Sequence, residues 1–223
     1  NEVMLKNVHR RKALTKDLVE KYLSSGKYNI CIVASGSSLN AALTAEMFMN
    51  KYLGAKVTII SPTEYMYYRK ALVKDDFIIV ISQSGCSTNI IEAVLDMKQD
   101  GIVPMALTGD MEGSLKRYVD TLIEYGVGNE TVEYVTLGMI TLVEYLILFA
   151  LEVSLSRKVI SEGEYKKIVE DMILCCGANK EAYDKSVVFT QKYYKELFQM
   201  DRAIIVADGA NMGIAREASL KFG

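Results

Sequence analysis

Apolar and polar positions alternate along this chain in two rhythms. Short continuous apolar runs fall at Tyr28–Ala34, Ala55–Ser61, Phe77–Ser82, Gly101–Thr108 and Tyr118–Tyr125. Between them lie longer stretches with apolar residues three and four apart. Continuous runs predict strands buried on both faces, and three-and-four spacing predicts helices. Leu5, Val8, Leu14, Leu18 and Leu23 place an amphipathic helix over residues 3–23. Helices are further predicted over Leu39–Leu53 and Thr88–Gln99, and a long, mostly apolar one over residues 131–155 suits a core or a subunit interface. Strands alternating with helices predict an α/β fold: three layers, with a five-stranded parallel sheet covered on both faces.

The texture changes after Ser156. Ser161–Cys176 and Asn179–Gln199 read as two helices with no strand between them. Arg202–Ala207 reads as another strand, followed by the small loop Asp208-Gly209-Ala210-Asn211 and a helix from Gly213. The expected organisation is an N-terminal helix (1–23), a first α/β domain (24–155), a helical connector (156–200) and the start of a second, truncated α/β unit (201–223).

Composition narrows the function classes. A net charge of −2 with scattered Lys and Arg lacks the basic footprint of a nucleic-acid binder. The longest apolar run, within Leu137–Leu151, is broken by Thr141 and Glu144 and falls short of a membrane span. Asn1–Lys12 is too charged for a secretory signal. Cys31, Cys86, Cys175 and Cys176 form no CxxC pair, and His9 is the single histidine, so neither a disulfide scaffold nor a zinc site is expected. A reducing, cytoplasmic setting fits these residues.

Two polar loops stand out. Ser35-Gly36-Ser37-Ser38 follows the first strand, and Ser82-Gln83-Ser84-Gly85-Cys86-Ser87-Thr88 follows the third. Each ends a strand and opens a helix, where backbone N–H groups and hydroxyls can hold an anion without Lys or Arg. In an open parallel sheet, ligands bind beyond the carboxyl ends of strands near a topological switch point. The alternative is that these are ordinary N-caps, but one cap needs one hydroxyl, not the several offered by Ser82, Gln83, Ser84, Ser87 and Thr88. The Gly-x-x-x-x-Gly-Lys-Ser/Thr and Gly-x-Gly-x-x-Gly patterns are missing, which argues against nucleotides and dinucleotides. Cys86 invites a nucleophile reading, but the single His lies in the N-terminal helix.

At these residues the chain resembles a known family. Ile79-Val80-Ile81-Ser82-Gln83-Ser84-Gly85-Cys86-Ser87-Thr88 is similar to the Ser-Gln-Ser-Gly-Glu-Thr signature of sugar isomerase (SIS) domains. Ala34-Ser35-Gly36-Ser37-Ser38-Leu39-Asn40-Ala41 resembles the family's Cys-Gly-Thr-Ser-Tyr-Asn-Ala. Pro62-Thr63-Glu64-Tyr65-Met66-Tyr67-Tyr68-Arg69 resembles a segment of the isomerase half of glucosamine-6-phosphate synthase. Arg216-Glu217-Ala218-Ser219-Leu220-Lys221 is similar to the Glu-Gly-Ala-Leu-Lys of that protein's second SIS domain.

The resemblance implies a flavodoxin-like, double-SIS protein of the glucosamine synthase and fructosamine-6-phosphate deglycase group. It implies a sugar phosphate as ligand, no cofactor and a homodimer or higher homo-oligomer. Carried over by position, Gly36, Ser37, Ser38, Ser82, Gln83, Ser84, Ser87 and Thr88 form the substrate and phosphate cradle, and Lys221 lies at the catalytic centre. Glu217 reads as structural. Glu130 matches the glutamate of the family's Thr-Glu-x-x-Val/Ser stretch, and Glu133, where a Val lines the family's site, is a candidate substrate contact. Cys86 stands where the motif has Glu. The resemblance puts the catalytic glutamate one residue past Gly223 and the ring-opening histidine further on, so His9 is neither. Isomerase, deglycase or aminotransferase-type chemistry through an enediol or enolamine is the expected activity. A non-catalytic sugar-phosphate sensor keeping the same loops is the alternative, and an oligomerising scaffold would leave the loops unexplained.

Overall fold

The computed structural model describes residues 2–128, 130 and 136–222. Two short helices, α1 (Glu2–His9) and α2 (Arg11–Ser24), open the chain. They replace the single helix expected over 3–23 because the backbone turns at Arg10 (φ −94°, ψ 12°). The order then runs β1 (Ile30–Val33), α3 (Gly36–Leu53), β2 (Val57–Ile60), α4 (Pro62–Glu64), a π-helical turn (Tyr65–Arg69) and α5 (Lys70–Val73). After these come β3 (Phe77–Ser82), α6 (Thr88–Gln99), β4 (Met105–Thr108), a 3-10 turn (Ser114–Arg117) and β5 (Leu122–Glu124). Helices α7 (Leu137–Ser156), α8 (Glu162–Lys192), α9 (Tyr194–Phe198) and α10 (Asn211–Phe222) follow.

The five strands form one parallel sheet in the order β2-β1-β3-β4-β5, with Ile30 opposite both Val57 and Phe77. Every residue of β1 and β3 is buried, as their unbroken apolar runs require. Period-two geometry divides each strand between two cores. Ile30, Ile32, Ile79, Ile81 and Leu107 pack with α2, α3 and α7, whereas Cys31, Val33, Ile78, Val80 and Ala106 pack with α6 and Tyr65. The strand order changes direction between β1 and β3, so the loops after these two strands open at one crevice.

Helix α7 is long and apolar enough by length and composition to cross a membrane, contrary to the sequence reading. It is instead a core helix: 78% of its most apolar window is buried. Its buried Glu152 accepts from the Tyr165 hydroxyl, with Arg11 at 3.7 Å, so this charge is paired.

Two expectations for the later chain need correction. The two helices read at 161–176 and 179–199 are one continuous helix to Lys192 followed by a short one. Gly177 does not stop it, because a glycine inside a helix costs only about 1 kcal/mol. Arg202–Ala207 forms no strand; Ile204 and Val206 are 91% and 89% exposed. A strand needs a neighbour for its backbone groups, and among the described residues none pairs with this segment.

Helix α10 lies directly on α3. A Cβ on Gly213 would sit 2.3 Å from the Asn40 carbonyl and 2.3 Å from Thr44 Oγ1. Only glycine permits that approach, and it carries Glu217 to Ser37 and Asn40 at the start of α3.

Candidate functional site

The crevice between β1 and β3 holds a cleft of about 190 Å³ lined by Ser35, Ser37, Ser38, Ile81, Ser82, Gln83, Ser84 and Ser87. Six of the predicted site residues therefore meet, although they come from two loops nearly fifty positions apart. Gly36 and Thr88 are exposed and stand just outside the wall. The Thr88 hydroxyl donates to Asn89 Oδ1 at 3.3 Å. Glu133 lies outside the described residues.

Ser35 and Ser87 are the N-cap residues of α3 and α6, yet neither side chain makes a capping hydrogen bond. The same chain shows what serine caps do elsewhere: Ser61 Oγ accepts from Glu64 N–H at 3.1 Å, and Ser161 Oγ accepts from Glu164 N–H at 3.1 Å. The Ser35 and Ser87 hydroxyls are thus spared from capping. Helix N-termini carry partial positive charge, and two of them open here, so a cleft without Lys or Arg still favours an anion.

The β3 loop is shaped by close backbone contact. Ser82 O accepts from Gly85 N–H at 3.1 Å, and Ser82 Oγ accepts from Ser87 N–H at 3.4 Å. Ser84 Oγ accepts from Cys86 N–H at 3.2 Å. Gly85 has φ +62°, and a Cβ there would lie 2.9 Å from Gly113 Cα. Its carbonyl accepts from Leu115 N–H at 2.7 Å. Glycine at 85 serves both the left-handed backbone and the packing against the 109–113 turn.

Lys221 is not in the cleft wall but is tied to it. Its Nζ stands 3.5 Å from Glu217 Oε1, which also accepts from the Ser37 hydroxyl at 2.8 Å. Glu217 Oε2 accepts from Asn40 Nδ2 at 2.9 Å. Lys221 and Glu217 also border a second, largely apolar cavity of about 610 Å³ between α3, α7, α8 and α10. Asn40 escaped the sequence reading; its signal was its place three residues after Ser37, on the same helix face.

Glu130 also gains a place. Its carboxylate accepts from the backbone N–H groups of Thr136, Leu137 and Gly138 at 2.6, 2.8 and 3.1 Å, and from Gln83 Nε2 at 2.5 Å. Among the described residues, no group of three or more His, Cys, Asp or Glu is placed to hold a metal ion. The Cys86 thiol is exposed, with Ser114 Oγ 3.8 Å away.

A family model of the SIS domain matches residues 22–157. The isomerizing glutamine–fructose-6-phosphate aminotransferase of Clostridium tetani is 23% identical over 236 residues, covering 98% of this chain and 39% of that protein. Its namesake from Pyrobaculum aerophilum is 28% identical over 198 residues, covering 87% and 31%. The chain thus spans less than half the length of these curated relatives. Among solved structures, a Salmonella typhimurium LT2 protein described as sugar binding aligns with a TM-score of 0.83 at 19% identity, covering 100% of this chain and 68% of that one. The C-terminal domain of glucosamine-fructose-6-phosphate aminotransferase from Francisella tularensis aligns with a TM-score of 0.74 at 24% identity, covering 98% and 66%. With the sheet order, the two serine loops and the match over residues 22–157 in agreement, this chain belongs to the SIS-domain family.

Proposed function

We propose that this chain binds the phosphate of a ketose or amino-ketose 6-phosphate in the cleft between the β1 and β3 loops. In this reading it is part of an isomerase, deglycase or aminotransferase-type enzyme. The observation that carries the reading is the pair of N-cap serines, Ser35 and Ser87, whose side chains leave the helix caps unfilled while lining one cleft. Ser82, Ser84, Ser87 and Thr88 supply hydroxyls to the phosphate on one side, and Gly36, Ser37 and Ser38 supply the facing loop. Gripping the phosphate positions the sugar carbons for chemistry several bonds away, where remote binding energy lowers the barrier.

Aldose–ketose and amino-sugar conversions open the ring, then move a proton next to a carbonyl or imine through an enediol or enolamine. A base takes the carbon-bound proton, and a cation or donor steadies the oxygen that gains charge. Lys221 is assigned the second task. Glu217, with both oxygens engaged by Ser37, Asn40 and Lys221, holds the lysine rather than taking a proton. The base itself is assigned to a second SIS unit whose start is residues 201–223, as in a double-SIS deglycase or synthase. A homodimer or higher homo-oligomer and a cytoplasmic setting complete the reading.

The test is a thermal-shift titration with fructose 6-phosphate, glucosamine 6-phosphate and inorganic phosphate, on the wild type and on Ser84→Ala with Thr88→Ala. A stabilising shift with the sugar phosphates that the double variant loses supports the site. The absence of any shift at millimolar ligand in the full-length protein rejects it. Binding without turnover there leaves a sensor in place of an enzyme.

A further inference from the structure

The amide of Gln83 is clamped from outside the cleft. Its Nε2 donates to Glu130 Oε2 at 2.5 Å. A carboxylate offers only acceptors, so the Gln83 atom facing it must be the nitrogen. Glu130 is fixed in turn by the N-terminus of α7, accepting from the N–H groups of Thr136, Leu137 and Gly138. The first N–H groups of a helix reach no acceptor in a preceding turn, so a negative charge is stabilised there.

Space enforces the same arrangement. A Cβ at position 138 would lie 2.5 Å from Gln83 Nε2 and 2.9 Å from Glu130 Oε2. The Gln83 backbone is also held: its carbonyl accepts from Gly109 N–H at 2.9 Å and from the Thr108 hydroxyl at 3.3 Å. With the main chain and the amide nitrogen both fixed, the amide oxygen is left over. Among the described residues none donates to it, and Gln83 lines the cleft.

We propose that Glu130 is a positioning residue that holds the Gln83 amide oxygen toward the cleft, so that the site reads a hydroxyl of the ligand beside its phosphate. The inference rests on the phosphosugar reading above and adds a selectivity to it. An amide oxygen repels a phosphate oxygen and accepts from a sugar O–H. The serine hydroxyls therefore bind the phosphate, while the Glu130–Gln83 pair distinguishes a polyol phosphate from phosphate alone. At Glu130→Gln the single amide oxygen can keep the Thr136 and Leu137 N–H groups only by turning its NH₂ toward Gln83 Nε2, which Gln83 relieves by turning over and presenting its own NH₂ group to the cleft.

Calorimetric titration of the full-length protein with fructose 6-phosphate and with inorganic phosphate tests this on the wild type, Glu130→Gln, Gln83→Leu and the double variant. The affinity for fructose 6-phosphate is expected to fall about tenfold in each single variant, the cost of one lost hydrogen bond at a desolvated group. Affinity for inorganic phosphate should stay within about twofold, because the serine hydroxyls are untouched. The double variant should lose no more selectivity than Gln83→Leu alone. A parallel loss of both ligands in Glu130→Gln, an unchanged ratio, or additive losses in the double variant overturns the inference and leaves Glu130 a helix cap. If Glu130→Gln does not fold, Gln83→Leu, which leaves the cap intact, decides: an unchanged ratio there overturns the inference. Failure of the wild type to bind fructose 6-phosphate rejects the phosphosugar reading itself and this inference with it.

Discussion

Ser37 and Glu217 lie 180 residues apart in the chain, and the Ser37 hydroxyl donates to the Glu217 carboxylate at 2.8 Å. The same carboxylate receives the buried Asn40 amide. Glu217→Ala leaves that amide without its acceptor, and it is expected to cost about 1–3 kcal/mol of stability. Glu217→Gln keeps an acceptor for one of the two donors and should cost less. Urea denaturation of both variants checks the ranking; equal stability of Glu217→Ala and wild type would show that the contact does not form in solution.

Gly213 sets how closely α10 approaches α3. Gly213→Val puts side-chain atoms where the Asn40 carbonyl and Thr44 already are. The strands and α7 do not depend on this contact, so the sheet should stay folded while α10 swings away. Hydrogen exchange should then rise over Asn211–Phe222 and stay low over Phe77–Ser82. Protection that remains unchanged over α10 would contradict the packing described.

The two kinds of serine at helix starts predict opposite costs. Ser61 takes part in a reciprocal capping box with Glu64, whose carboxyl is held below its ordinary value chiefly by the Ser61 N–H. Ser61→Ala should therefore cost about 1 kcal/mol. Ser87 makes no side-chain cap, so Ser87→Ala should change stability by less than about 0.5 kcal/mol. Under the proposed function it should still weaken sugar-phosphate binding. A large loss of stability in Ser87→Ala would mean that its hydroxyl serves the fold after all.

Glu144 makes a pH prediction. Burial pushes its carboxyl up from 4.5 to about 7, against the Asn7 amide, which donates to Oε2 at 3.1 Å. The other oxygen is buried, and among the described residues it has no hydrogen-bond partner. In the folded state the proton is retained to higher pH than in the unfolded state. Its stabilising effect is complete below about pH 4.5 and is lost as pH rises through 7. The loss over that window is at most roughly 3–4 kcal/mol. Glu144→Gln should remove this slope. Identical pH dependence in wild type and variant, read from chemical denaturation between those limits, would refute the assignment.

The sequence by itself determined the elements and the chemistry of the cleft loops. Unbroken apolar runs such as Phe77–Ser82 are legible because a strand buried on both faces needs apolar residues at every position. The Ser82–Thr88 cluster is legible because turn, cap and hydroxyl chemistry are local to a few residues. Only the tertiary structure decided which local features work together. Placing β1 beside β3 joins two serine loops, Gly213 lets α10 bring Glu217 to Ser37, and Gly138 makes room for Gln83 beneath Glu130. Those partners lie tens to hundreds of residues apart, and no periodicity or propensity encodes a contact across that distance. The segment 202–207 shows the same limit from the other side. Its composition favours a strand, but a strand exists only where another backbone meets its hydrogen-bonding groups.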